Sequence, residues 1–266
     1  MNVIEKGQVN QSAAEIYEQF FLPALFADWP PHVAAASNIQ PGNRVLDVAC
    51  GTGVLARWIA DQVGPMGSVI GLDINEGMLD VARRQATHIT WQNGRAEDLP
   101  FDDDSFDAVV SQFGLMFFDN KRQALQEIVR VLQPNGRFAV AVWDTLDNTP
   151  GYAAMVKLLQ QLFGEEAANG LRTPYNLGNI QTLESLFADM PITNVDVMTK
   201  KGTARFASIS DWMYTDIKGW VLADMIDDDQ FALLLKEASR VLRPFLTETG
   251  TIAFDAPAHI VTAVKL

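Results

Sequence analysis

Val45-Leu46-Asp47-Val48-Ala49-Cys50-Gly51-Thr52-Gly53 is the stretch whose reading decides the fold. It opens as a short apolar run, Val45 to Ala49, rich in β-branched residues, the pattern of a strand buried on both faces of a parallel sheet. It closes in Gly51-Thr52-Gly53, after which Val54 to Val63 follows a helical pattern. The order is strand, glycine turn, helix. Glycine carries no Cβ, so a ligand can approach the backbone closely there. The helix that follows points its free N–H groups at whatever occupies the turn. The chain thus carries a built-in seat for a nucleotide-like ligand.

Outward from this seat the pattern repeats. The helix after the turn is expected to bury Leu55, Trp58 and Ile59. Ser68 to Asp73 reads as the second strand, and Asp73 stands about 20 residues beyond Gly53, the separation at which an acid at a strand tip meets ribose hydroxyls. Two acceptor oxygens on one carboxylate suit the two donors of a vicinal diol. As an ordinary strand-end acid it would need no ligand. Asn75 caps the next helix, with Met78, Val81 and Ala82 facing inward, and residues 89–93 form a weaker third strand. Phe106 to Ser111 is the fourth strand, with Gln112 at its carboxyl end. Leu125, Ile128, Val129 and Leu132 repeat as one face of an amphipathic helix. Pro134-Asn135-Gly136 stops that helix, and Arg137 to Trp143 is the fifth strand. This alternation argues for a parallel, doubly wound α/β sheet.

Upstream, Ser12 and Glu15 have capping-box spacing, and Pro23 and Pro30-Pro31 are expected to break the segment into short pieces. The segment reads either as helices packed on the sheet or as an aromatic flap carrying Tyr17, Phe20 and Trp29. Downstream, Met155, Leu158, Leu159 and Leu162 form a helical stripe. Val195, Val197 and Thr199 alternate as a strand extended to Phe206. Residues 208–248 read as helical and 260–266 as a final strand.

At 266 residues, 48% hydrophobic and 20% charged, the chain has ample material for a core. A net charge of −13 with no basic stripe argues against a nucleic-acid partner. Cys50 is the single cysteine, so no intrachain disulfide forms and a reducing compartment fits. Met1 to Ser12 has no apolar leader pattern and no run reaches the length of a membrane span; a soluble, cytoplasmic protein is expected. The acidic triplets at 102–104 and 227–229 read as a solvated turn and a helix start. No His, Cys and carboxylate spacing suggests a metal.

Val45–Gly53, Asp73, the Ala96–Phe101 loop, Phe106–Ser111 and Leu132–Arg137 together resemble the successive motifs of class I S-adenosylmethionine-dependent methyltransferases. The group they resemble most is the small-molecule one that includes quinone-biosynthesis C-methyltransferases. The resemblance implies a Rossmann-like fold, a mostly parallel seven-stranded sheet with helical lid insertions. It implies one domain over 1–266, with a core of 33–145, 176–207 and 250–266 and lids at 12–32, 146–175 and 208–248. It implies S-adenosyl-L-methionine as cofactor, with Gly51 and Gly53 under the methionine part and Asp47 at its amino group. The residues alone also fit an alternative, in which Asp47 accepts N–H bonds that brace the glycine turn. By the same resemblance Asp73 takes the ribose, Ile74 and Met78 flank the adenine, Ala96 and Glu97 meet its edge, and Gln112 faces the methionyl end. Met78 also fits a purely core role. Many relatives carry an acid where this chain has Arg95, which shifts the adenine amino group onto Glu97.

The resemblance further implies in-line transfer of a methyl group to oxygen or carbon of a small, largely apolar acceptor. The lids supply the walls for it, among them Trp29, Tyr152, Phe163, Trp212, Met213, Tyr214, Trp220 and Met225. His32, His259 and Tyr17 are candidates for a base; His88 is expected on an exposed turn. Two other readings remain open. Gly51-x-Gly53-x-x-Ala56 with Asp73 also satisfies the dinucleotide fingerprint of a nicotinamide dehydrogenase, and a cyclase or a cofactor-binding regulator can use the same pocket. Nothing in the pattern fixes an oligomeric state.

Overall fold

The structure, a computed structural model, describes residues 11–219, 222 and 225–266, with only the backbone of Gln11 and Ser12. The polar start of the chain, the Ser12 cap and Trp220 lie outside the described residues.

The first strand, β1 (Arg44–Val48), is buried from Val45 onward and sits in the middle of a seven-stranded sheet. It pairs in parallel with β2 (Ser68–Asp73) on one side and β4 (Phe106–Gln112) on the other. β3 (Thr90–Asn93) extends the sheet beyond β2, and β5 (Leu132–Trp143) beyond β4, both in parallel. β9 (Ala258–Lys265) then pairs antiparallel with β5 and with the edge strand β6 (Ile192–Lys200). The order is β3-β2-β1-β4-β5-β9-β6. It reverses direction between β1 and β4, which opens a crevice at their carboxyl ends, where ligands bind in such sheets.

Helices cover the faces. α1 (Gln11–Ile16) runs into a wide π-helical stretch, Tyr17–Phe26, and α2 is Pro30–Ala36. Pro23 lies inside that stretch and does not break it. α3 (Val54–Val63) follows the glycine turn, and α4 (Glu76–Gln85) follows β2, its first turn closed by the Asn75 carboxamide accepting the Met78 N–H. α5 (Lys121–Val131) buries Leu125, Ile128 and Val129. After β5 come α6 (Pro150–Phe163), α7 (Glu165–Arg172) and α8 (Ile180–Ser185). α9 (Ile209–Lys218) and α10 (Asp228–Val241) precede the last strands.

Four further expectations change. Trp58 is 43% exposed, so α3 buries Leu55, Ala56 and Ile59 instead. Pro134-Asn135-Gly136 does not end a helix before a turn: β5 already begins at Leu132, and these residues form an irregularity in its pairing with β4. The strand read from Val195 to Phe206 is two strands. β7 (Thr203–Phe206) leaves the main sheet and pairs with β8 (Ile252–Asp255) in a separate ribbon. The break falls at Gly202, where a side chain would collide with the Ala256 carbonyl and the Trp29 ring. The helical reading of 208–248 gives way to α9, α10 and a short 3₁₀ turn at Arg243–Phe245.

Candidate functional site

The crevice between the ends of β1 and β4 is one continuous cleft, about 1430 Å³ with its open mouth included. Its floor is Asp47, Ala49, Cys50, Gly51 and Thr52 from the end of β1 and the turn after it. One wall is Asp73, Ile74, Asn75 and Met78, with Arg95, Ala96 and Glu97 beyond. The opposite wall is Gln112, Phe113, Phe117 and Trp143. Over the top come Tyr17, Phe21, Leu25 and Phe26 from the N-terminal segment, with Tyr152, Tyr175 and Asp216 from the later helices.

The backbone here is bent unusually. Ala49, Gly51, Gly53 and Phe113 all have positive φ. For Ala49 and Phe113 this is a sparsely populated conformation, costing on the order of 1–3 kcal/mol each. Phe113 stacks there on Trp143, ring centroids 3.8 Å apart and planes nearly parallel. The two glycines differ. A Cβ at Gly51 would meet open space in the cleft, whereas one at Gly53 would collide with the indole of Trp91. Gly53 does not line the cleft; it lets Trp91 of β3 pack beneath the turn, as does Gly71 in β2. A glycine in the middle of a strand is the sequence signal for such a close approach.

The two strand-end acids have exchanged the bracing role. Asp73, not Asp47, holds the glycine turn: its Oδ2 accepts the Gly51 N–H at 2.8 Å and its Oδ1 the Asn75 N–H at 2.8 Å. Burial pushes its carboxyl up, and these N–H donors pull it back. Asp47 is 1% exposed, and neither carboxylate oxygen has a hydrogen-bond partner among the described residues. Burial pushes its carboxyl well above the usual range; the nearby Ala56 backbone N–H, outside hydrogen-bonding geometry, pulls the other way, and Asp73 adds repulsion. An unpartnered buried carboxylate costs free energy unless something cationic or donating sits against it. The Gln112 side chain is similar: its N–H reaches the Phe26 carbonyl at 3.3 Å, while its Oε1 is buried without a partner. Two acceptor groups facing the same floor suit an ammonium-bearing ligand, and the bare Gly51 backbone leaves room for it. The residues present therefore fit the methionyl and ribosyl parts of S-adenosylmethionine.

At the far wall, Ile74 is 42% exposed and Met78 buried against Tyr17. Glu97 Oε1 accepts the Asp119 N–H at 2.8 Å and the Asn120 N–H at 3.3 Å, and Arg95 pairs with Asp119 at 2.7 Å. Arg95 thus holds Asp119 at this edge of the cleft, a residue not anticipated from the sequence.

Of the three base candidates, only Tyr17 lines the cleft. Burial, with Glu18, Asp73 and Asp47 nearby, pushes its phenol up, so it stays protonated: it can donate a hydrogen bond but does not serve as a base. His32 is exposed and packs edge-on against Trp29. His259 is 2% exposed and structural: Nδ1 meets Thr199 Oγ1 and Nε2 meets the Gly178 carbonyl, each at 2.9 Å, with Asp144 at 3.2 Å. The expected flap is also rebuilt. Phe20 packs edge-on with Tyr214, and Trp29 is buried among Phe113 and Trp143. Phe21, Leu25 and Phe26 take their place in the cleft. Of the acceptor-wall residues named from the sequence, Tyr152 is in place, and Tyr175 and Asp216 join it. Asp216 had a signal: with Ile209, Trp212 and Met213 it completes an i, i+3, i+4, i+7 stripe, an acid where a helix shows its apolar face.

Among the described residues there is no cluster of three or more His, Cys, Asp or Glu able to hold a metal, and no helix long and apolar enough to cross a membrane.

A methyltransferase domain family matches residues 46–140. The chain is similar to the demethylmenaquinone methyltransferase of Symbiobacterium thermophilum, 46% identical over 116 residues, covering 41% of this chain and 46% of that one. The match thus spans about half the length of that relative. The demethylmenaquinone methyltransferase of Staphylococcus epidermidis is 32% identical over 188 residues, covering 65% of this chain and 78% of that one. Among solved structures, the YcgJ protein of Bacillus subtilis superposes with a TM-score of 0.61 at 19% identity, over 90% of this chain and 98% of that one. That likeness is one of fold.

Proposed function

We propose an activity from this premise: the chain belongs to the S-adenosylmethionine-dependent methyltransferases. The reading is transfer of a methyl group to carbon or oxygen of a small, largely apolar acceptor of quinone type, the acceptor class named for the relatives. When bound, S-adenosylmethionine supplies a methyl group made electrophilic by its sulfonium. The rest is what this chain's residues do. Asp47 and Gln112 offer acceptors to the amino group. Asp73 keeps the Gly51 backbone in place and turns its remaining lone pairs to the ribose. Ile74 and Met78 flank the adenine, with Ala96, Glu97 and Asp119 along its edge. Phe26, Phe113 and Trp143 exclude water from the reacting end, where alignment of the reactants can contribute on the order of 7–11 kcal/mol. No protein nucleophile is called for.

The observation that carries this reading is Asp47: a carboxylate at the sheet centre, sealed from water, facing the cleft with both oxygens free. A cytoplasmic site of action is part of the proposal. The test is a calorimetric titration with S-adenosylhomocysteine and, separately, NAD. Micromolar binding of the first with none of the second supports the reading, and the reverse makes the chain a dehydrogenase. Transfer of labelled methyl to demethylmenaquinol and a panel of phenols then tests the acceptor class; cofactor binding without transfer to any of them favours a cyclase or regulator.

A further inference from the structure

We infer that Asp216, backed by Tyr152, is the docking point for one oxygen of the methyl acceptor, a phenol or enol hydroxyl on an otherwise apolar ring. The inference deepens the methyl-transfer reading and rests on it.

Asp216 lies on α9, is 0% exposed, and lines the same cleft as Asp47. Its Oδ2 is approached by the Tyr152 hydroxyl at 3.5 Å, while Oδ1 is buried and has no hydrogen-bond partner among the described residues. The surroundings are aromatic. The Tyr152 ring stands 5.9 Å from those of Tyr175 and Trp212, and Trp212 lies 4.7 Å from Phe254. The aromatic surroundings would accommodate an apolar side chain, yet the position carries an acid with one buried, unmet oxygen. An acid kept there at a destabilising cost is a sign of use at a site.

Burial pushes the Asp216 carboxyl well above the usual range, against the weaker pull of Tyr152 and Trp212. In its neutral form it both donates and accepts a hydrogen bond, as a hydroxyl does. It also donates to the oxyanion formed when that hydroxyl loses its proton, as protonated acids do in apolar sites. One polar group in an apolar wall fixes which way round a flat ring lies. The floor holds the methyl donor and the roof holds the acceptor oxygen, so the acceptor atom presented for methylation is set by its distance from that oxygen.

The test uses the full chain saturated with S-adenosylhomocysteine, titrated with 1-naphthol and with naphthalene while tryptophan fluorescence is followed. Naphthalene is the more apolar, so partition alone favours it; the wild type is expected to prefer naphthol by about tenfold or more. Asp216→Leu should abolish that preference while keeping the affinities for naphthalene and S-adenosylhomocysteine. Asp216→Asn, still able to hydrogen-bond, should keep part of it, and Tyr152→Phe should weaken it. If Asp216→Leu does not fold, the Asn and Phe variants carry the comparison. A wild type without the preference, or variants that all retain it, overturns the inference. Loss of S-adenosylhomocysteine binding by the wild type would instead sink the family-based reading.

Discussion

The Asp73 carboxylate accepts the Gly51 N–H at 2.8 Å, so the residue expected to grip a ribose also fixes the glycine turn against which that ligand lies. With its second oxygen on the Asn75 N–H, one side chain ties the tip of β2 to the turn after β1 and to the start of α4. Asp73→Ala therefore acts on fold and ligand together. It should lower stability by about 2 kcal/mol, the scale of hydrogen bonds to a charged group, and weaken S-adenosylhomocysteine binding at least tenfold. Urea unfolding and calorimetry measure the two losses; an unchanged unfolding midpoint would return Asp73 to a purely ligand-facing role.

Asp47→Asn should separate the two properties in the opposite sense. Removing a group whose charged form burial penalises stabilises the free protein near neutral pH, while the ligand loses its ionic partner. A higher melting temperature with weaker S-adenosylhomocysteine binding is the expected pair of results. A destabilised variant would mean that Asp47 is satisfied within the fold.

The same carboxyls set a pH dependence. The folded-state pKa values of Asp47, Asp73 and Asp216 are raised, so above about pH 4 the native state binds more protons than the unfolded chain. Their contribution to stability is complete below that pH and is lost as pH rises through the folded values. Glu127, paired with Arg130, is lowered and works the other way: its contribution is present above about pH 4.3 and lost as pH falls through its folded value. Comparing wild type with Asp47→Asn isolates one group. The wild type should lose stability with rising pH faster than the variant, and its affinity for S-adenosylhomocysteine should rise over the same range. Parallel stability curves would contradict this.

Gly53→Ala should be far more damaging than Gly51→Ala. Both positions have positive φ, which strains alanine by about 1–2 kcal/mol, but only at Gly53 does the new methyl group strike Trp91. A second substitution, Trp91→Ala, should recover part of the loss at Gly53 and none at Gly51. Unfolding free energies of the two glycine variants, Trp91→Ala and the two double variants form the check.

His259→Ala should cost stability and leave methyl transfer per folded molecule unchanged. It leaves the buried Gly178 carbonyl without its partner, a loss of about 1–3 kcal/mol, while the exposed Thr199 hydroxyl can turn to water. Reduced kcat in a fully folded sample would restore His259 as a candidate base.

Much of the chain was legible from local patterns. The apolar runs at Val45, Ser68 and Phe106 gave strands because a strand covered on both faces is apolar nearly throughout, and the stripe at Leu125 gave a helix because one buried face imposes a helical period. The break at Gly202 has a sequence signal that went unused: the apolar positions are odd before it, Val195 and Val197, and even after it, Ala204 and Phe206, while its close approach to Trp29 and Ala256 is visible only in the folded chain. Trp58 was misplaced because an amphipathic pattern names a face, not how far its neighbours extend over it.

The sequence alone determined the strand–turn–helix seat, the acid at the tip of the second strand and the family to which they belong, since these depend on residue types at fixed short separations. Tertiary structure decided the division of labour. Which acid braces and which stays unpartnered, why Gly53 must be glycine, and that Asp216 joins Tyr152 above a floor laid down well over a hundred residues earlier all depend on contacts between distant segments. Such contacts leave no local period in the chain; they arise only when strand order and helix packing bring those segments face to face.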